Sequence, residues 1–153
     1  LGPGFVAVED RAPGRGPLEG LVNAFGAVKH GYVAVVPCDV PFLNGCVLRL
    51  LEARAAGRGG AVPVVNGFME PLVAVYQRDS GLDCFREELD RGIGKVGDAI
   101  LRMDIRKVEE ADLRTVDRHL LSFWNVNSRE DLANADDMAR RGLIPPSSPP
   151  SDA

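Results

Sequence analysis

The run Tyr32-Val33-Ala34-Val35-Val36 constrains this chain most: five residues without a polar interruption, four of them aromatic or β-branched, closing abruptly on Pro37-Cys38-Asp39-Val40-Pro41. Such a run reads as a short strand buried on both faces of a parallel sheet, because branched side chains fill a pleated surface and no position is left for water. Apolar residues recur at helical spacing on either side of it: Leu18, Leu21, Val22, Phe25 and Val28 before, and Val47, Leu48, Leu50 and Leu51 after. Helix, strand, helix in this order predicts an α/β domain, whose open sheet carries its ligand crevice at the carboxyl ends of its strands.

The remaining segments extend that pattern. Phe5-Val6-Ala7-Val8 reads as a strand stopping at Glu9-Asp10, followed by a loop with Pro13, Gly14, Gly16 and Pro17. The first helix ends near His30-Gly31, Asn44 is placed to cap the second, and the glycines of 57–60 stop it. Residues 61–65 and 72–76 read as two strands around Asn66-Gly67, a strong hairpin signal, so the sheet is mostly parallel with an antiparallel hairpin or edge. Helices are expected over 82–90 and 96–103, with an edge strand over 105–108. Ser128 and Asp131 have the spacing of a capping box, which opens a helix over 129–141 ended by Gly142. The tail 145–153, with four Pro and three Ser, is expected to be disordered, leaving 1–144 as the folded domain.

Composition bounds the function. A chain of 153 residues with 45% hydrophobic and 26% charged residues has the size and balance of one globular domain. Its 18 basic against 22 acidic residues leave a net charge of −4, with no basic surplus to bind a nucleic-acid backbone or an anionic membrane. Small phosphorylated ligands remain open, since a few local donors and a metal ion suffice for them. Cys38, Cys46 and Cys84 lack Cys-x-x-Cys spacing and are odd in number, which argues against a zinc site or a disulfide framework and for a reducing, cytoplasmic setting. No apolar run approaches the roughly 20 residues that cross a bilayer.

Five residues are candidates for chemistry. Asp39 follows the carboxyl end of the 32–36 strand between two prolines, where a carboxylate can ligate Mg²⁺ together with substrate phosphates; a loop Asp capping the next helix is the plainer alternative. Asp10 closes the preceding strand in the same way, against the alternative of a solvated strand end. Gly16 belongs to the flexible loop Gly14-Arg15-Gly16-Pro17-Leu18-Glu19-Gly20 feeding a helix N-terminus, whose free N–H groups favour anions, although many ordinary loops look the same. Asn125 and Asn127 alternate about Val126, so that in an extended segment both amides face one side; two turn residues before a helix is the competing reading. His30 and His119 read as surface residues, and Cys38 as a small hydrophobe closing a strand.

Taken in order, Val8-Glu9-Asp10, Gly16-Pro17-Leu18-Glu19-Gly20, Pro37-Cys38-Asp39-Val40-Pro41-Phe42-Leu43, Glu70-Pro71-Leu72-Val73-Ala74-Val75-Tyr76 and Phe123-Trp124-Asn125-Val126-Asn127 resemble the molybdenum cofactor guanylyltransferases up to about Ala135. The resemblance implies a Rossmann-like nucleotidyltransferase that moves GMP from GTP to the terminal phosphate of molybdopterin, forming the guanine dinucleotide and releasing pyrophosphate. By that resemblance Asp39 holds Mg²⁺ and is catalytic, Asp10 and Gly16 line the GTP side, and Asn125 and Asn127 face molybdopterin. Molybdoenzyme maturation proteins are the further partners it implies.

The chain departs from the family at one point. The family's Leu-Ala-Gly-Gly loop with its Arg and Lys is missing here, so the first βαβ portion is expected to be absent and these residues alone are not expected to transfer GMP. Two rivals follow: a related nucleotidyltransferase using CTP or another acceptor, and a non-catalytic piece that only binds cofactor or partner.

Overall fold

The computed structural model describes residues 6–9, 16–92 and 95–142. In chain order its elements are α1 (Pro17–Ala27), β1 (Tyr32–Val35), α2 (Gly45–Ala55), β2 (Gly60–Val65), β3 (Phe68–Met69), β4 (Ala74–Gln77), α3 (Arg78–Asp90), α4 (Val96–Ile100), β5 (Ile105–Val108), α5 (Glu110–Leu113), a 3₁₀ turn (Leu121–Phe123) and α6 (Arg129–Arg140). The period of two along the strands divides the interior into two cores. Val62, Ala74 and Tyr76 pack with Leu18, Leu21 and Phe25 of α1 and Leu82, Phe85 and Leu89 of α3. Ala61, Val65, Val75 and Val108 pack with Val47, Leu51 and Ala55 of α2. Helices therefore cover both faces of the sheet, the layering expected of an α/β domain.

Strand order is β1-β4-β2-β3, with β5 on β2. The β1–β4, β2–β4 and β2–β3 ladders are antiparallel and β2–β5 is parallel. It follows that β1, β2 and β5 share one direction while β4 runs against them between β1 and β2. Three of the five strands thus share one direction, while three of the four ladders are antiparallel.

Three expectations are corrected, the third being the hairpin's partner strand. The strand 32–36 is not buried on both faces: among the described residues β1 bonds only β4, Ala34 is exposed and Val36 is 42% exposed. Branched residues report the pleat, not the strand's place in the sheet. Val6 to Glu9 form no strand and Val6 and Val8 are exposed, since no described backbone pairs with them; Phe5 lies outside the described residues. Elsewhere the reading holds with shifted limits. Helix α3 starts earlier, because Gln77 caps it by accepting the Ser80 N–H (2.6 Å), and α4 is shorter than 96–103. Asn66 (φ 51°) and Gly67 (φ 80°) form the tight turn, but its immediate partner strand is β3 and not 72–76. Asn44 caps α2 by accepting the Cys46 N–H (2.9 Å), and the Ser128–Asp131 capping box opens α6. The tail 145–153 lies outside the described residues. Among those described, no helix is long and apolar enough to cross a membrane.

Candidate active site

Three chain segments meet at the carboxyl end of β1. Antiparallel pairing sets Val35 opposite Ala74, so the loop leaving β1 and the segment entering β4 lie side by side. That segment is displaced from the ladder. Val64 faces Met69, yet Ala61 faces Val75 where an unbroken register would give Leu72, so residues 70–73 absorb a slip of three. Pro63 explains the place of the break: it lacks the N–H that a regular pair would use, and its carbonyl alone is met, by the Glu70 N–H at 2.9 Å. The displaced residues are pinned rather than loose. Val73 N–H donates to the Glu70 carbonyl (3.2 Å) and the buried Tyr76 hydroxyl donates to the Pro71 carbonyl (2.7 Å).

The third segment is Phe123 to Asn127. Its Val126 N–H donates to the Asp39 carbonyl (2.8 Å), and Trp124 stacks on buried Phe42 with ring centroids 5.4 Å apart and planes 11° from parallel. Together the three segments enclose a recess of about 150 Å³ lined by Pro37, Asp39, Glu70, Pro71, Leu72, Val73, Phe123 and Asn125. Its walls are mostly apolar and its polar groups few, as in small-ligand sites.

One carboxylate among the lining residues is out of balance. Asp39 Oδ1 is buried and accepts no hydrogen bond from the described residues, an arrangement costing about 1–3 kcal/mol unless a ligand group meets it. Glu70 stands in the same recess, where burial pushes its carboxyl above the ordinary glutamate value. Among the described residues no three His, Cys, Asp or Glu cluster to hold a metal unaided. Mg²⁺ does not need such a cage, because it binds through one or two carboxylates plus substrate phosphates and keeps several waters. The orphaned Asp39 oxygen with Glu70 nearby fits that donor pattern.

The fold thus brings Asp39 and Asn125 together from positions far apart in sequence. Asn127 does not join them: both asparagines are exposed, but Asn127 does not line the recess, and its N–H donates to Asp131 Oδ2 (3.1 Å). Gly16 is the N-cap of α1, with a φ of 73° that favours glycine, and does not line the recess. Asp10 lies outside the described residues. Cys38 is exposed in the turn and closes no core, because the chain has already left the sheet at Val36; His30 and His119 are on the surface as expected. Glu70 was missed as a site residue. The turn signal placed a plain strand nearby; the Glu70-Pro71-Leu72 motif and Pro63, a residue ill-suited to a ladder, are the signals that mark the segment.

The MobA-like NTP transferase domain model matches residues 1–107, which include Asp39 and Glu70. The chain belongs to the MobA-like NTP transferase family. It is therefore a nucleotidyltransferase by family. It is 32% identical over 145 residues to a molybdenum cofactor guanylyltransferase of Desulfosudis oleivorans, covering 94% of this chain and 71% of the relative. A probable molybdenum cofactor guanylyltransferase of Natronomonas pharaonis is 33% identical over 88% of this chain and 65% of its own length. Among solved structures, molybdopterin-guanine dinucleotide biosynthesis protein A of Archaeoglobus fulgidus superposes with a TM-score of 0.72 at 28% identity, over 82% of this chain and 64% of that one. The chain spans about two thirds of the length of these MobA-like proteins. The Desulfosudis alignment is long enough to take in the segment bearing Asn125 as well as Asp39.

Proposed function

We propose that the chain serves the transfer of GMP from GTP to the terminal phosphate of molybdopterin, with Asp39 as the ligand of a divalent cation, Mg²⁺, and Asn125 on the acceptor side. The observation that carries this reading is the buried, unmet oxygen of Asp39, a residue that lines one recess with Asn125. Family membership and the names of the relatives supply the reaction.

The chemistry suits these side chains. The attacking group is a phosphate oxygen, largely ionised near neutral pH because its second pKa is about 6. It needs no general base, so the surface position of both histidines is consistent with the reaction. What the transfer does need is in-line alignment and donors or cations around the α-phosphorus. A divalent cation on Asp39 would neutralise charge on the phosphate oxygens. Asn125, with two N–H donors and a carbonyl, can bind and orient the acceptor. Glu70, half-buried in the same recess, is a second oxygen donor on that wall. Pro71, Leu72, Val73 and Phe123 narrow the recess and limit water at the reacting groups.

A panel assay of the complete enzyme tests the reading. Pyrophosphate release with Mg²⁺ is measured for GTP and CTP, each with molybdopterin or another phosphorylated acceptor. Release requiring GTP and molybdopterin together is expected. Preference for CTP or for a different acceptor would replace it with one of the related transferases, and binding without release would make the chain a non-catalytic binder.

A further inference from the structure

Asp117 is 1% exposed, lies outside the recess, and has no part in the chemistry above. Its oxygens accept the N–H groups of Leu121 (3.2 Å) and Ser122 (2.8 Å), and its carbonyl accepts the N–H of Leu120 (3.0 Å). Inside this cap stands Leu120 at φ 54°, ψ 33°, a left-handed conformation that a leucine adopts roughly tenfold or more less readily than its ordinary ones. The turn so held leads into Leu121–Phe123, places Phe123 in the wall of the recess, and sends Trp124 and Asn125 after it. It is also bolted to the other wall. Ser122 Oγ accepts the N–H of buried Asn44 (2.9 Å), and Asn44 Nδ2 donates to the Val116 carbonyl (3.0 Å). Asn44 caps the helix into which the Asp39 loop runs.

The geometry points to Asp117 as a positioning residue for the acceptor: it holds the left-handed Leu120 turn that aims Phe123 and Asn125 at the recess of Asp39. This inference rests on the guanylyl-transfer reading. Asp117 touches no reactant and works through the backbone it caps. A neutral amide cannot do the same, because Asn has one acceptor oxygen and its NH₂ group would face an N–H. When the turn is released, the competent arrangement of the arm becomes a fraction of the population, and apparent acceptor affinity falls by that fraction. Nucleotide affinity is spared if GTP does not depend on this arm.

Trp124, the one tryptophan of these 153 residues, sits on the 123–127 arm; with any tryptophan outside them replaced by Phe, its emission reads the arm's docking independently of turnover. In the complete enzyme, Asp117→Asn should shift Trp124 emission to the red and raise KM for molybdopterin by about ten- to a hundredfold, with KM for GTP within about twofold. Leu120→Gly in that background should recover part of the acceptor KM, since glycine enters the left-handed region freely, while lowering Tm further by losing a buried leucine. A merely structural Asp117 would lower Tm and leave both KM values of the folded enzyme unchanged, or change them together; either result overturns the inference, as does an emission shift with no change in acceptor KM. Absence of any GMP transfer by the wild type would overturn the functional reading and this inference with it, whereas normal wild-type transfer with an unaffected variant overturns this inference alone.

Discussion

Asp39 contributes to the site by being left incomplete, with an oxygen removed from water and given no donor. Removing that side chain should therefore separate activity from stability: Asp39→Ala should lower the transfer rate by orders of magnitude while Tm stays level or rises, because a desolvation cost of about 1–3 kcal/mol is relieved. A large fall in Tm would show that the carboxylate is a structural group after all. The two asparagines should behave differently, although sequence treats them alike. Asn125→Ala should weaken molybdopterin binding by about 0.5–1.5 kcal/mol for a neutral contact, or about 1.5–3 for one to the phosphate. Asn127→Ala should cost little, its backbone bond to Asp131 surviving the change. Acceptor titrations of both variants check the ranking. The place of Asp39 in the recess was legible because a proline-flanked acid follows a β-branched run at a strand's carboxyl end, although position alone left a helix-capping role open. The difference between Asn125 and Asn127 was not, because it depends on Val126 being drawn to the Asp39 carbonyl, a contact between distant parts of the chain.

Local signals located helices and turns well because caps and tight turns are made by neighbours in sequence. Asn44, Asn66-Gly67 and the Ser128–Asp131 pair all act where their residue types predict. Sheet position was hidden for the opposite reason: the β1–β4 ladder, the one ladder of β1 among the described residues, and the slip of 70–73 are set by partners elsewhere in the chain. Packing between elements makes its own demands. Helices α1 and α3 approach so closely at Gly81 that an added Cβ would stand 2.6 Å from the Phe25 ring, which is buried against Phe85 and Tyr76. Gly81→Ala should lower stability by about 1–3 kcal/mol in denaturant unfolding, as overpacking does; a stabilised variant would contradict the packing described. At α6, the Asp131 carboxyl is held below its ordinary value by the Ser128 hydroxyl first, then by the backbone N–H groups of Asn127 and Ser128. A depressed acid contributes stability above its unfolded value and loses it as pH falls through the folded one. Asp131→Ala should thus lower Tm at neutral pH, with the gap to wild type narrowing below about pH 3.8, the ordinary aspartate value. A gap independent of pH would remove the carboxylate from the cap's energetics.

Across the whole molecule, the sheet direction, the displaced 70–73 segment and the arm at 123–127 converge on one small recess. The two carboxylates and the amide lie on separate segments, and each segment is fixed by its own bonds, so each contribution can be removed without unfolding the others. The most direct measurement is the rate of molybdopterin guanine dinucleotide formation from GTP, molybdopterin and Mg²⁺ by the complete enzyme and its Asp39→Ala and Asn125→Ala variants, each verified as folded by thermal melt. Dinucleotide formation by the wild type is predicted, with near-complete loss for Asp39→Ala and a raised acceptor KM for Asn125→Ala. Full activity in both folded variants would contradict the assignment of the reaction to this recess.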